Sequence, residues 1–152
     1  MKINSFSDVR EFLSDIPNIN NGGCGIATLA MFLWLKKNKG IKKGVRVAYL
    51  YKYDDEYEKY QFKVNNSNLK GITTRVSSCN HAVLTVDKKV YFDCADSYVC
   101  IDNFKKKIVI PYRKTEQFLT DSLRNEDDWN FLFSRSRYVP MIERVLDIKL
   151  NL

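Results

Sequence analysis

The chain has 152 residues, 45% of them hydrophobic and 28% charged, and its formal net charge is +7 at pH 7. These values fit one soluble domain, residues 1–152, and the longest apolar run, residues 26–35, is too short to cross a bilayer. The basic residues form clusters along the sequence, but acidic groups interrupt them and no nucleic-acid-binding motif accompanies them. The charge therefore predicts a solvated surface, and we do not expect a nucleic-acid partner.

Two helices are predicted in the first 40 residues. Ser7 can cap the first helix, Pro17 would stop it, and its apolar residues fall on one stripe, namely Val9, Phe12, Leu13 and Ile16. The second helix, about residues 24–38, is apolar on every side as far as Leu35, which is typical of a helix buried in a domain. Gly40 would end it as a left-handed cap.

The middle of the chain shows the alternation that is typical of short strands. Residues 45–53 alternate in this way, and after a charged connection at 54–59 and a polar loop within 63–70, strands are predicted at 72–76, 81–86, 89–94, 98–102 and 107–112. We expect an antiparallel sheet, in which the turn at residues 87–89 makes the two flanking strands a hairpin.

Three further helices are predicted near the C-terminus. Thr115 would cap the first, which contains Phe118, Leu119 and Leu123, a short helix would surround residues 129–133, and Val139-Pro140 would open a last one. The predicted fold class is α+β, with a buried N-terminal helix packed on an antiparallel sheet and with C-terminal helices.

Cys24 stands at the start of the second helix, in the sequence Gly22-Gly23-Cys24-Gly25. A helix N-terminus and a nearby imidazole both favour the thiolate, which is the form of cysteine that attacks an acyl carbon. The flanking glycines would leave room for an acyl group, and the amide of Cys24 could donate to an oxyanion. The alternative is a small buried cysteine without chemistry, although core packing does not require glycine on both sides.

His81 is the only histidine of the chain and opens a predicted strand. A thiolate needs such a base, and the base needs a group that orients it. Asp93 lies in the paired strand of the hairpin, where a carboxylate among apolar residues requires a partner. Asp96 is the competing carboxylate, because a shift of one residue in the turn changes which side chain shares the face of His81.

Three segments together resemble the papain-like cysteine peptidase superfamily. They are NGGCGIATLAM at residues 21–31, HAVLTV at 81–86 and YFD at 91–93. The first segment is most similar to peptidases that process bacteriocin leaders, and the hairpin is similar to theirs and to that of bacterial transglutaminase-like proteins. The resemblance spans roughly residues 18–96. It implies a papain-like fold, a catalytic triad of Cys24, His81 and Asp93, a peptide or protein substrate, and no cofactor.

Many members of the superfamily carry a glutamine six residues before the cysteine as an oxyanion donor, and this chain has Asn18 at that position. The resemblance therefore implies Asn18 in that role, with a side chain one methylene shorter. Asn20 and Asn21 are alternatives. Asparagine is also common in loops because its side chain forms turns, which would explain all three without chemistry.

The predicted function is that of a thiol-dependent hydrolase or acyltransferase, a cysteine protease or amidase-like enzyme that cleaves a peptide or amide bond. Hydrolysis and transfer to an amine both stay open. The alternative is a non-catalytic papain-like binding module, derived from a phage or mobile element, that engages a protein or anionic partner through its basic surface.

The four cysteines raise the question of a metal site. Cys79, His81, Cys94 and Cys100 form a possible Cys₃His set, but their spacing does not match the tight knuckles that zinc usually occupies, so no metal ligand is predicted. The first residues lack the apolar core of a secretion signal. We therefore expect reduced thiols and a cytoplasmic location.

Overall fold

The computed structural model describes residues 2–20, 23–41, 44–52, 81–125 and 137–152. Within these ranges the helices are α1 (Phe6–Ser14), α2 (Cys24–Lys39), α3 (Tyr112–Asn125) and α4 (Val139–Leu146), and the strands are β1 (Val45–Tyr51), β2 (His81–Val86), β3 (Val90–Phe92) and β4 (Lys106–Val109). The prediction of an α+β fold is confirmed at this level.

None of these helices is both long and apolar enough to cross a membrane. The strand predicted at 72–76, the connections predicted within 54–70 and the helix predicted at 129–133 lie outside the described residues.

The four strands form one antiparallel sheet in the order β3-β2-β1-β4. The turn between β2 and β3 has positive φ angles at Asp87 and Lys88, and the Lys89 N–H donates to the Val86 carbonyl at 3.0 Å. Two consecutive left-handed residues are the signature of the tight hairpin turn that matches the twist of the flanking strands. The predicted hairpin is therefore confirmed, with Leu84 paired to Phe92.

Both faces of the sheet are buried at β1. Val47, Tyr49 and Tyr51 belong to the main core between the sheet and the helices, whereas Ala48 and Leu50 belong to a second apolar cluster on the other face. The second cluster also contains Val83, Tyr91 and Val99. An antiparallel sheet commonly leaves one face to solvent, so burial on both sides marks β1 as an interior strand.

Helix α2 lies in the centre of the main core and contacts α1, α3, α4 and β2. Its residues 26–32 are all buried, as the apolar sequence predicts, and Gly40 ends it with a φ of 54°. Glycine adopts this left-handed conformation without the steric cost that a Cβ brings, so the predicted cap is confirmed.

The cap of α1 is Ser5 and not Ser7. The Asp8 N–H donates to Ser5 Oγ at 3.2 Å, and Asp8 Oδ2 accepts from the Ser5 and Asn4 N–H groups at 3.1 and 2.8 Å. Ser5 and Asp8 thus form a reciprocal capping box, which makes Ser7 the second residue of the helix. The prediction at Ser7 is wrong because a serine there has no acidic residue three positions later to complete the box.

Two predicted elements differ in the second half of the chain. The segment predicted as a strand at 98–102 makes one backbone bond to the sheet, from the Val99 N–H to the Tyr91 carbonyl, and then turns into a short 3₁₀ helix, Ile101–Asn103. The strand predicted at 107–112 is β4, which ends at Val109 because α3 begins at Tyr112.

Thr115 is not the cap of α3. It lies in the first turn of that helix, where its Oγ1 donates to the Pro111 carbonyl at 3.2 Å and accepts from the Val47 N–H at 3.3 Å. The hydroxyl joins α3 to β1, a contact between distant parts of the chain that the local sequence does not reveal.

Candidate active site

The first residue of α2, the first residue of β2 and the residue after β3 meet at one place. These residues are Cys24, His81 and Asp93. The hairpin brings the second and third together, and the packing of α2 on β2 brings the first to them.

The imidazole of His81 contacts the carboxylate of Asp93, with 2.8 Å between Nε2 and Oδ2. Both side chains are largely buried, at 15% and 6% exposure. The other carboxylate oxygen, Oδ1, accepts from the Ala95 and Asp96 N–H groups at 2.8 and 2.6 Å. Asp96 is itself exposed and supplies a backbone N–H to this turn. Of the two candidates, Asp93 is therefore the one whose carboxylate contacts the imidazole.

The hydrogen bonds around Asp93 favour its ionised form. Burial acts to raise its pKa, but the hydrogen bond to His81 and those from the Asp96 and Ala95 amides outweigh burial and lower the pKa below its ordinary 3.8. In addition, Arg10 of α1 donates from Nε to the Asp93 carbonyl at 3.0 Å, which ties the turn to the first helix. The imidazole and two amides thus fix the carboxylate of Asp93, and Arg10 fixes its backbone.

The sulfur of Cys24 lies on β2. The Ala82 N–H, one residue after His81, donates to Cys24 Sγ at 3.4 Å, and the sulfur lies near enough to the imidazole to favour its protonated form. Because Nε2 of the imidazole faces Asp93, Nδ1 is the nitrogen that is left to exchange a proton with the thiol.

The surroundings of His81 favour its protonated form. Burial acts to lower its pKa, but the hydrogen bond to Asp93, the interaction with the sulfur of Cys24 and the charge of Asp93 together raise the pKa from 6.5 to about 9. An imidazole with this pKa holds its proton at neutral pH and can serve as a general acid.

Gly25 has a packing role that differs from the one expected. A Cβ at this position would lie 3.1 Å from Leu123 Cδ2, so the glycine allows α2 and α3 to approach each other closely. This contact accounts for the glycine by packing, and the expectation that Gly25 leaves room for an acyl group stays a prediction.

The asparagines before Cys24 lie in a turn. Asn18 is exposed and has a φ of 60°, a left-handed conformation that asparagine adopts more readily than most residues, so the turn alone accounts for it. Asn20 accepts a hydrogen bond from the Cys94 thiol, at 3.6 Å between Oδ1 and Sγ. Asn21 lies outside the described residues. The oxyanion role of Asn18 stays a prediction.

In the part of the chain that the structure describes, Cys94 and Cys100 make no hydrogen bond with Cys24 or His81. Cys94 is buried, and burial, followed by the charge of Asp93, raises the pKa of its thiol to about 11, so it stays neutral at neutral pH. Cys100 is half-buried and free, and Cys79 lies outside the described residues. Across the ranges that the structure describes, no group of three or more His, Cys, Asp and Glu side chains could hold a metal ion.

Sequence reasoning missed two groups that support this site, the Ala82 amide and Arg10. A backbone amide leaves no mark on a sequence, and an arginine in an amphipathic helix is indistinguishable from a solvated one. Comparison of the chain with protein-family models, with curated proteins and with solved structures found no match.

Proposed function

We propose that this chain is a papain-like thiol-dependent hydrolase or acyltransferase, which acts on a peptide or amide bond through Cys24, His81 and Asp93. One observation supports the proposal most. The single histidine contacts a buried carboxylate at 2.8 Å, and the next residue of its strand donates to a sulfur at the start of a buried helix. Nucleophile, base and orienting group are the three parts that acyl transfer requires, and this arrangement brings all three to one place.

In the resting state the proton resides on the imidazole and the sulfur of Cys24 is the nucleophile. Asp93 stays ionised and holds the ring at Nε2, which leaves Nδ1 to exchange a proton with the sulfur. The orienting carboxylate stabilises the imidazolium and does not itself take the proton.

The first half of the reaction forms a thioester. The sulfur attacks the carbonyl carbon, a carbon–sulfur bond forms, and the carbonyl electron pair moves to the oxygen. When the carbon–nitrogen bond breaks, His81 gives its proton to the departing amine. In the second half His81 takes a proton from water or an amine, which attacks the thioester and releases the thiolate. Water as acceptor gives hydrolysis, and an amine gives transfer.

The start of α2 can supply the oxyanion donors. The N-cap residue is Gly23, which has no side chain to accept from the first amides of α2. These amides also have no partner within the helix. These N–H groups and the positive end of the helix dipole favour the developing negative charge at the carbon that Cys24 attacks. A thiolate nucleophile also requires a reduced sulfur, so we place the activity in a reducing compartment such as the cytoplasm.

The test is alkylation of Cys24 by iodoacetamide over a range of pH, followed by peptide mass spectrometry. We expect Cys24 to react at about pH 6, where an ordinary thiol is protonated, and its rate to fall by at least about tenfold in His81→Gln. Cys100, half-buried and outside the site, is the reference thiol in the same molecule. A Cys24 profile that matches Cys100 and is unchanged by His81→Gln would contradict the proposal and favour a non-catalytic binding module.

A second test detects the covalent step itself. Incubation with a mixture of peptides and quenching in acid should leave an acyl adduct on the Cys24 peptide, because a thioester is an obligatory intermediate of this mechanism. The Cys24→Ala variant should show neither adduct nor product.

A further inference from the structure

Thr28 is a polar side chain in the most apolar part of α2, and it is completely buried. Its Oγ1 donates to the Ala82 carbonyl of β2 at 3.0 Å. Ala82 directly follows His81 in the strand. The contact therefore joins the nucleophile helix to the strand that carries the base, one residue away from the base.

Cys24 and Thr28 are four positions apart, so they lie one above the other on the same face of α2. The Ala82 N–H donates to Cys24 Sγ, and the Ala82 carbonyl accepts from Thr28. Cys24 and Thr28 of the helix are thus bonded to the peptide groups before and after Ala82. A pair of directional bonds at separate points fixes both the displacement of α2 along β2 and its rotation.

Apolar packing alone would not fix this alignment. The hydrophobic contacts between α2 and the sheet have no preferred direction, and an alanine or valine would fill the space without a hydroxyl that needs a partner. Threonine in a helix commonly bonds to a carbonyl of its own preceding turn, as Thr120 of α3 does with the Glu116 and Gln117 carbonyls at 3.0 and 3.1 Å. Thr28 instead bonds across to the strand.

We infer that Thr28 is a positioning residue for the proposed acyl transfer, which holds the sulfur of Cys24 in register with the imidazole of His81. This inference rests on the proposed function and adds a residue to it. Reaction geometry is sensitive to displacement on the scale of 1 Å, so loss of one directional contact next to the site lowers the rate without removing a reacting group.

The experiment compares three variants of the full chain with the wild type. Thr28→Val keeps the shape and removes the donor, Thr28→Ser keeps the donor, and Thr120→Val makes the same change at a threonine outside the site. The readouts are the alkylation rate of Cys24 against pH and the titration of the imidazole resonance, which is unambiguous because the chain has one histidine.

We expect Thr28→Val to lower the Cys24 rate near pH 6 by about tenfold, Thr28→Ser to stay within about threefold of wild type, and Thr120→Val to leave the rate unchanged. Thermal unfolding shows which variants are folded. Should Thr28→Val not fold, Thr28→Ala, which lacks the donor and suits a helix, is measured in the same way.

The outcomes separate the two proposals. A folded Thr28→Val with the wild-type profile, or a Thr28→Ser as slow as Thr28→Val, would overturn the inference while the proposed function stands. If Cys24 is alkylated with the same pH dependence in the wild type and in His81→Gln, the proposed function is overturned, and the inference with it.

Discussion

The Nε2 atom of His81 and the Oδ2 atom of Asp93 are 2.8 Å apart, although the residues are 12 positions apart in the chain. The hairpin turn at Asp87 and Lys88 brings their strands together, and the two amides that bind Oδ1 aim the carboxylate at the ring. Among the interactions that raise the pKa of His81, the hydrogen bond to Asp93 has the largest effect. It should therefore influence both the reactivity of the site and the pH dependence of stability.

Replacement of Asp93 by asparagine should lower the pKa of His81 from about 9, because the ring loses a charged hydrogen-bond partner. We expect the turnover of a peptide or amide substrate to fall roughly 10²- to 10⁴-fold, the range typical of acid–base contributions. The titration of the single histidine by NMR checks the first effect and substrate kinetics the second. Asp96→Asn is the matched control, since its carboxylate is exposed and its backbone amide is retained. Equal effects of the two variants would contradict the assignment.

Stability should depend on pH through this pair in a definite direction. Burial opposes protonation of His81, but its partners raise its pKa from 6.5 to about 9, so its stabilising effect is complete below pH 6.5 and is lost as the pH rises through about 9. For Asp93, burial likewise opposes the charge, but hydrogen bonds lower the pKa below 3.8, so its effect is present above 3.8 and is lost as the pH falls further.

Urea unfolding of the wild type and His81→Gln tests this dependence. The difference between their free energies of unfolding should be larger at about pH 6 than at about pH 9.5, by an amount on the order of 3 kcal/mol. Ionisation of the buried Cys94 thiol at high pH is common to both proteins and cancels in the difference. A difference that does not change with pH would show that His81 has no such coupling.

Ser5→Ala should destabilise the chain by about 1 kcal/mol, because it removes the side-chain acceptor of the capping box at the start of α1. Ser7→Ala should change the free energy of unfolding by much less, since Ser7 lies inside the helix and is exposed. Urea unfolding of both variants measures the difference. If Ser7→Ala lowers the free energy of unfolding more than Ser5→Ala does, Ser7 is the cap, as expected from the sequence.

Gly25→Val should lower the free energy of unfolding by about 1 to 3 kcal/mol, the usual cost of overpacking a core. The added side chain meets Leu123, which a Cβ alone would approach at 3.1 Å. Combination with Leu123→Ala should recover part of that loss, so the two changes should be non-additive in a double-mutant cycle. Strict additivity would mean that Gly25 faces something other than α3.

The local sequence determined the elements whose signals are complete within a few residues. Helix α2 and its end at Gly40, strand β2, the hairpin turn at 87–89 and helix α4 follow the predictions. Periodicity, a left-handed glycine and a turn with two positive φ angles are properties of the chain over short distances. The residue types at Cys24, His81 and Asp93 were visible for the same reason.

Tertiary structure decided which groups meet. Side chains alternate along a strand, so a shift of one residue exchanges the faces, and only the observed register selects the carboxylate of Asp93 over that of Asp96. Thr115 resembled a cap in sequence and instead joins α3 to β1, and Thr28 resembled one more core residue and instead bonds to β2. The contacts of Thr28 and Thr115 join segments that are 54 or more positions apart. The packing of helices on the sheet sets these distances, and no local pattern encodes them.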